Sequence, residues 1–168
     1  MKYKFTGKTK EHLNRTLHQI EAIRNFGNVE KGTVGGWIEK ESNLSHEGEC
    51  WVAGNAKVFG NALVYGNAQV FGNAWVYGNA WVYGYAEVFG DAKVFGNAKV
   101  FGDAWVYGYA EVFGNAQVFG DTLVFGNTLG KKNQNLPEEL NELSSAFEEV
   151  IFNGKKYKRV TKWEEVSE

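Results

Sequence analysis

From Val52 onward the apolar and polar positions of the chain repeat in blocks of six. The blocks run from Val52-Ala53-Gly54-Asn55-Ala56-Lys57 and Val58-Phe59-Gly60-Asn61-Ala62-Leu63 to Val124-Phe125-Gly126-Asn127-Thr128-Leu129. Val recurs thirteen times at this interval, Gly follows from Gly54 to Gly126, and Ala holds the fifth position until Thr122 and Thr128. Within a block the stretch Ala-x-Val-aromatic alternates, so strand geometry sends Ala and Val to one face and the variable residue and the aromatic to the other. The variable position carries Lys57, Gln69, Glu87, Lys93, Lys99, Glu111 and Gln117, groups that are costly to bury unpaired. Val and Ala are therefore expected inside and the aromatics outside.

The Gly-Asn or Gly-Asp pair that follows consists of residue types that tolerate positive φ, and it is predicted to turn the chain after four strand residues. Three such strands and three corners make a triangular coil, and neighbouring coils pair at about 4.8 Å. The hexad resembles the hexapeptide-repeat family, in which an aliphatic inward residue and a small residue two places before it specify a left-handed β-helix. The hand is what the resemblance implies, because parallel crossovers are otherwise nearly always right-handed. The expected fold class is all-β, a left-handed parallel β-helix with three hexads per coil and small α/β caps at both ends. Caps are needed because an exposed terminal coil is an unpaired edge.

Three regions follow: residues 1 to 50 as N-terminal cap and degenerate first coil, 51 to 130 as the repeat β-helix, and 131 to 168 as a C-terminal helix and β-hairpin cap. Ile38, Leu44, Gly48 and Cys50 fall in register with the repeat, so a degenerate coil is expected from near Trp37, with Cys50 at a small inward position. Residues 2 to 5 and 16 to 24 have the composition of a hairpin over the N-terminal opening. Beyond Gly130, Pro137 is predicted to open a helix with Leu140, Leu143, Phe147 and Val150 or Ile151 on one face. Asn153-Gly154 then reads as a tight turn between Val150-Ile151-Phe152 and Tyr157-Lys158-Arg159-Val160. This segment reads as a cap, or alternatively as a partner-binding or oligomerising arm. Gly35-Gly36-Trp37-Ile38-Glu39, followed by Asn43-Leu44-Ser45, resembles the opening segment of uncharacterised hexapeptide-repeat proteins carried by bacteria and their phages.

Composition narrows the setting. A net charge of −2 argues against a broad basic surface for nucleic acid and against an acidic DNA mimic. Cys50 alone cannot form an intramolecular disulfide, and no stretch reads as a signal peptide or membrane span, so a reducing cytoplasm is expected.

Hexapeptide-repeat acyltransferases use a His as general base and often interrupt the coils with a loop. Here His12, His18 and His46 precede the regular coils, and the hexads contain no insertion. Carbonic anhydrases that share such a helix hold a metal with three His, a set the repeats do not offer. Asp103 and Asp121 stack in one corner as ordinary turn residues, although two carboxylates there could meet a hard cation. The expectation is accordingly no catalytic, cofactor or metal site, and a chain that is not an enzyme.

The aromatic surface is the feature beyond folding needs. Twelve successive hexads from Phe59 to Phe125 place a ring at one outward position, with Trp51, Trp75, Trp81 and Trp105 beside them. Stacking between coils is the structural reading of those rings, and a partner face is the functional one. The segment from Trp81 to Asp91 returns almost unchanged at 105 to 115, an offset that places the copy on another face of the prism. That suggests duplication under generic surface requirements. Candidate partner-binding residues are Trp75, Trp81, Tyr83, Tyr85, Phe101, Trp105 and Tyr109 on the prism, and Lys155, Lys156, Lys158, Arg159 and Trp163 at the C-terminal end. The leading expectation is a rigid binding or scaffold protein with a protein partner, in the setting of a phage accessory protein that inhibits a host complex such as a defence system. A homo-oligomer, dimer or trimer, is compatible with it. The alternatives are an acyltransferase-like enzyme with a site between subunits, and a carbohydrate-binding module, which requires a groove lined by polar partners.

Overall fold

The computed structural model describes residues 1 to 125 and, further along, the backbone of three strands. Two long strands, β1 (Tyr3–His12) and β2 (Arg15–Ala22), form a hairpin turned at Leu13 and Asn14, the two non-glycine residues with positive φ among the described residues. β3 (Val34–Ile38) pairs antiparallel with β2, and from there the chain coils.

Three walls rise in parallel. The first stacks β3, β5 (Lys57–Val58), β8 (Trp75–Val76), β11 (Lys93–Val94) and β14 (Glu111–Val112). The second stacks β4 (Trp51–Val52), β7 (Gln69–Val70), β10 (Glu87–Val88), β13 (Trp105–Tyr107) and β16 (Leu123–Phe125). The third stacks β6 (Leu63–Val64), β9 (Trp81–Val82), β12 (Lys99–Val100) and β15 (Gln117–Val118). Each regular strand pairs with the one three strands later, so Val58 lies on Val76 and Val76 on Val94. The fold is thus a parallel β-helix of about five coils with three hexads in each.

The interior is as the alternation dictates. Val52 to Val124 and Ala56 to Ala110 are buried at their repeat positions, and they form one continuous core. Corners differ from expectation in one respect. The glycines hold positive φ, as at Gly84 with φ 74, but the following Asn or Asp does not. Asn is useful at the corner because its amide joins a ladder: Asn61 donates to Asn79, Asn79 to Asn97 and Asn97 to Asn115, at 3.1 to 3.2 Å.

The first coil is longer than the register in the sequence implies. Ile38 and Leu44 share the frame of Cys50 and Ala56, the small position, yet they occupy Val places, facing Val58 and Val64. Those pairs are twenty residues apart, whereas Val52 and Val70 are eighteen apart. The two extra residues fall between Leu44 and Cys50. Gly48, at φ 65, lets that detour pass the carbonyl of Gly66, with which a Cβ would collide.

The N-terminal cap is built of β-structure with a single 3-10 turn, Glu41–Asn43, and no α-helix. Gly35 and Gly36 allow β3 to press against the coil, since a Cβ on Gly35 would lie 2.6 Å from the Trp51 ring and one on Gly36 2.8 Å from the Ala56 carbonyl. Asn43 is buried, donating to the carbonyls of Gly60 and Ala62 and accepting from the Lys40 N–H. At the other end, β17 (Glu149–Phe152), β18 (Lys155–Arg159) and β19 (Trp163–Glu165) form an antiparallel sheet, with β17 close to β15. Phe152 pairs with Lys155, the register that the expected hairpin requires. The expected helix from Pro137 and the Asn153-Gly154 turn lie outside the described residues.

Candidate functional site

The outward aromatics form three columns of parallel rings. Phe71 stacks on Phe89 at 4.8 Å and 1°, Tyr65 on Tyr83 at 4.8 Å and 4°, and Tyr77 on Phe95 at 4.9 Å and 4°. Strand pairing fixes the spacing, and a flat ring at every coil fills it, so the column rings are partly or fully buried by their neighbours. Tyr83 and Phe101, candidates for partner binding, belong to such a column at 4.9 Å and are only partly exposed.

The remaining candidates are distributed over all three walls. Trp75 stands on the first, Trp81 on the third and Trp105 on the second, with Tyr85 and Tyr109 at the corners flanking the second wall. The duplicated segment accordingly presents Trp81 and Trp105 to different surroundings. Exposure separates these residues: Tyr109 is 69% exposed, Tyr85 64%, Leu123 49%, Trp105 44% and Trp81 37%. Four of these five cluster on or beside the second wall. Lys155, Lys156, Lys158, Arg159 and Trp163 lie in β18 and β19, but their side chains fall outside the described residues. The backbone register sets Lys158 opposite both Glu149 and Glu164.

Cations attend most of the surface indoles. Lys10 lies 3.9 Å from the Trp37 ring centre, Lys57 and Lys93 lie at 5.2 and 5.6 Å from Trp75, and Lys99 at 4.7 Å from Trp81. A groove of about 560 Å³ beside Trp75 is lined by Lys57, Asn73, Asp91, Lys93, Tyr109 and Glu111, with Lys93 bonded to Glu111 at 2.9 Å. It has the polar lining that the carbohydrate alternative requires, but lysines attend the Trp75 ring, leaving Tyr109 as its open ring.

Within the expected N-terminal hairpin cap, the role of Lys2 was not legible in the sequence. Lys2 is fully buried, and its ammonium donates to the carbonyl of Cys50 at 2.7 Å and lies 3.1 Å from the Cys50 sulfur and 5.0 Å from the Phe26 ring centre. It satisfies carbonyls at the open end of the helix, including those of Gly48 and Glu47 at 3.3 and 3.4 Å. Burial holds its pKa below the usual lysine range, opposed by Cys50. A terminal lysine beside a Tyr gives no periodic signal. Tyr3 stacks on His46 at 4.2 Å, and His46 Nδ1 accepts from the Lys2 N–H at 3.3 Å. His46 also borders a groove of about 480 Å³ between Glu41 and Tyr65, but its Nε2 is buried without a partner.

His12 is brought onto the first wall, edge-on to Phe59 and Trp75 at 5.4 and 4.5 Å. Its Nε2 is buried and unpartnered, and burial, with the charges of Lys57 and Lys10, lowers its pKa. Among the described residues no group of three or more His, Cys, Asp or Glu could hold a metal ion, and no helix is long and apolar enough to cross a membrane.

Residues 68–84 match the family model described as the YdcK beta solenoid repeat. The chain is also similar to a protein of Escherichia coli (strain K12) described as the uncharacterized acetyltransferase YdcK, at 51% identity over 39 residues. That match covers 23% of this chain and 12% of the relative, so the chain spans a small part of the curated protein it resembles. The expectation that this chain is not an enzyme is corrected by that finding, since the similar protein is described as an acetyltransferase. Residues 68–84 build one coil here: Val70, Val76 and Val82 inward, Phe71, Tyr77 and Tyr83 in the ring columns, Gly72, Gly78 and Gly84 at the corners. The chain is thus a parallel β-helix of six-residue repeats, of which residues 68–84 match the YdcK beta solenoid repeat.

Proposed function

We propose that this chain is a rigid β-helical platform that binds a protein partner through its second wall. The observation that carries this reading is the exposure of Tyr85, Trp105, Tyr109 and Leu123 around one wall of a prism whose other rings are mostly stacked or attended by lysine. Large exposed rings on a preorganised surface are what interface energy concentrates in. A phage setting or a host-defence target finds no support in the fold or the similarities, and it forms no part of the proposal.

Acyl transfer is the second reading, favoured by the similarity to a protein described as an acetyltransferase. Two experiments separate them. Calorimetric titration with coenzyme A is expected to give no micromolar binding on the first reading, and such binding would favour the second. Affinity capture with the chain and with a Trp105→Ala, Tyr109→Ala variant is expected to lose a specific protein in the variant, while Lys99→Gln on the third wall retains it. Equal recovery from both variants would contradict the docking role of the second wall.

A further inference from the structure

We infer that the second wall is a receptor for arginine side chains, so that its partner is a protein segment carrying several of them. The inference rests on the protein-binding reading above and gives the partner its chemistry.

Charge is divided unequally among the walls. In residues 51 to 125 the basic residues are Lys57, Lys93 and Lys99, and all three stand on the first and third walls. The second wall and its two corners carry Glu87, Asp91, Asp103 and Asp121 and no basic residue of their own, although Asp91 and Tyr109, at the corner with the first wall, share the groove beside Trp75 with Lys57 and Lys93. Asp91 accepts a bond from Asn73 at 3.1 Å. Glu87, Asp103 and Asp121 take part in no side-chain hydrogen bond or ion pair among the described residues.

The coil repeat then sets each exposed ring beside a carboxylate. Residues eighteen apart occupy the same position on successive coils, as Glu87 and Trp105 do in the paired strands β10 and β13. By the same repeat Tyr85 stands over Asp103, and Tyr109 under Asp91. Strand spacing makes each separation about 4.8 Å along the axis. A guanidinium is flat, stacks on an aromatic face and pairs with a carboxylate in its own plane, so a ring next to a carboxylate suits it better than it suits an ammonium.

The rest of the prism shows what is missing. Trp37, Trp75 and Trp81 each have a lysine of this chain over the ring, and Trp51 is buried against Phe26 and Tyr3. Trp105 has Phe89 at its edge, 6.2 Å away, and no cation of its own among the described residues. It is also the indole whose paired neighbour is a glutamate on one side and a leucine on the other. A partner supplies the cation that the chain supplies elsewhere.

Fluorescence anisotropy with labelled nona-arginine and nona-lysine tests this on the full chain. Nona-arginine is expected to bind several-fold more tightly than nona-lysine, with affinity that falls as salt is raised. Trp105→Ala with Tyr109→Ala is expected to weaken it by roughly tenfold or more, and Asp91→Asn with Asp103→Asn to do likewise. Lys99→Gln leaves it unchanged, and unaltered melting of each variant shows that the coils are intact. No binding of nona-arginine at low salt, or equal binding by the Trp105 and Tyr109 variant, overturns the inference. Sedimentation that shows self-association lost in that variant also overturns it, in favour of a second copy on this wall. If that variant loses a captured protein while nona-arginine fails to bind, the docking reading stands and the arginine chemistry does not.

Discussion

A carboxylate at position 94 would enter an interior in which every repeat Val and Ala from Ala56 to Val112 is buried. Val94→Asp is therefore expected to abolish the cooperative thermal transition, while Lys99→Gln, on the outer face, shifts it little; similar losses would mean that the faces are reversed. His12 gives a second expectation at this scale, because burial, with Lys57 and Lys10 nearby, sets its pKa below the ordinary 6.5. The unfolded chain then takes up the proton first as pH falls. The stability held by neutral His12 is fully present above about 6.5 and declines as pH drops through that value toward the folded pKa. His46, also lowered by burial first of all, acts in the same direction. Melting temperatures followed from pH 7.5 to 5 should fall, and His12→Phe should flatten the slope; an unchanged slope would show that His12 does not contribute.

At the scale of the element, the corner is where sequence and structure can be compared most closely. Gly84, at φ 74, has the backbone of Gly102 2.9 Å from where a Cβ would stand, whereas Gly114, at φ 66, has nothing within 4 Å among the described residues. Alanine at either site costs about 1–2 kcal/mol for the left-handed backbone, but at Gly84 it also forces two coils apart. Gly84→Ala should lower the melting temperature clearly more than Gly114→Ala, and equal shifts would mean that coil contact adds nothing. The turning role of Gly was legible because it recurs every six residues with nothing else to explain it. The role of Asn was misread, because a residue that tolerates positive φ is also one whose amide can bond to its copy on the next coil. The first coil shows the same limit: Gly35, Gly36 and Asn43 stood out as a motif, but the twenty-residue spacing of Ile38 and Leu44 depends on pairing partners that no local pattern names. Lys2 was invisible for a related reason, since its hydrogen-bond partners lie 44 to 48 residues away.

The whole molecule is a prism in which most surface rings have a structural occupation and a few do not. Repetition in the sequence made the coils legible, and it also obscured the candidate site, because a six-residue period makes Trp75, Trp81 and Trp105 look alike. Coiling assigns them to different walls, and the charges of their neighbours then distinguish them. The central claim is that the ring columns hold the coils together while the exposed rings of the second wall do not. Thermal melting of two matched double variants tests it most directly. Replacing Tyr83 and Phe101 by Ser removes their mutual stack and those with Tyr65 and Phe119, and should lower the melting temperature by roughly 5–15 °C. Replacing Trp105 and Tyr109 by Ser should leave it within about 2 °C of the parent. A Trp105 and Tyr109 variant that melts as early as the Tyr83 and Phe101 variant would contradict the claim.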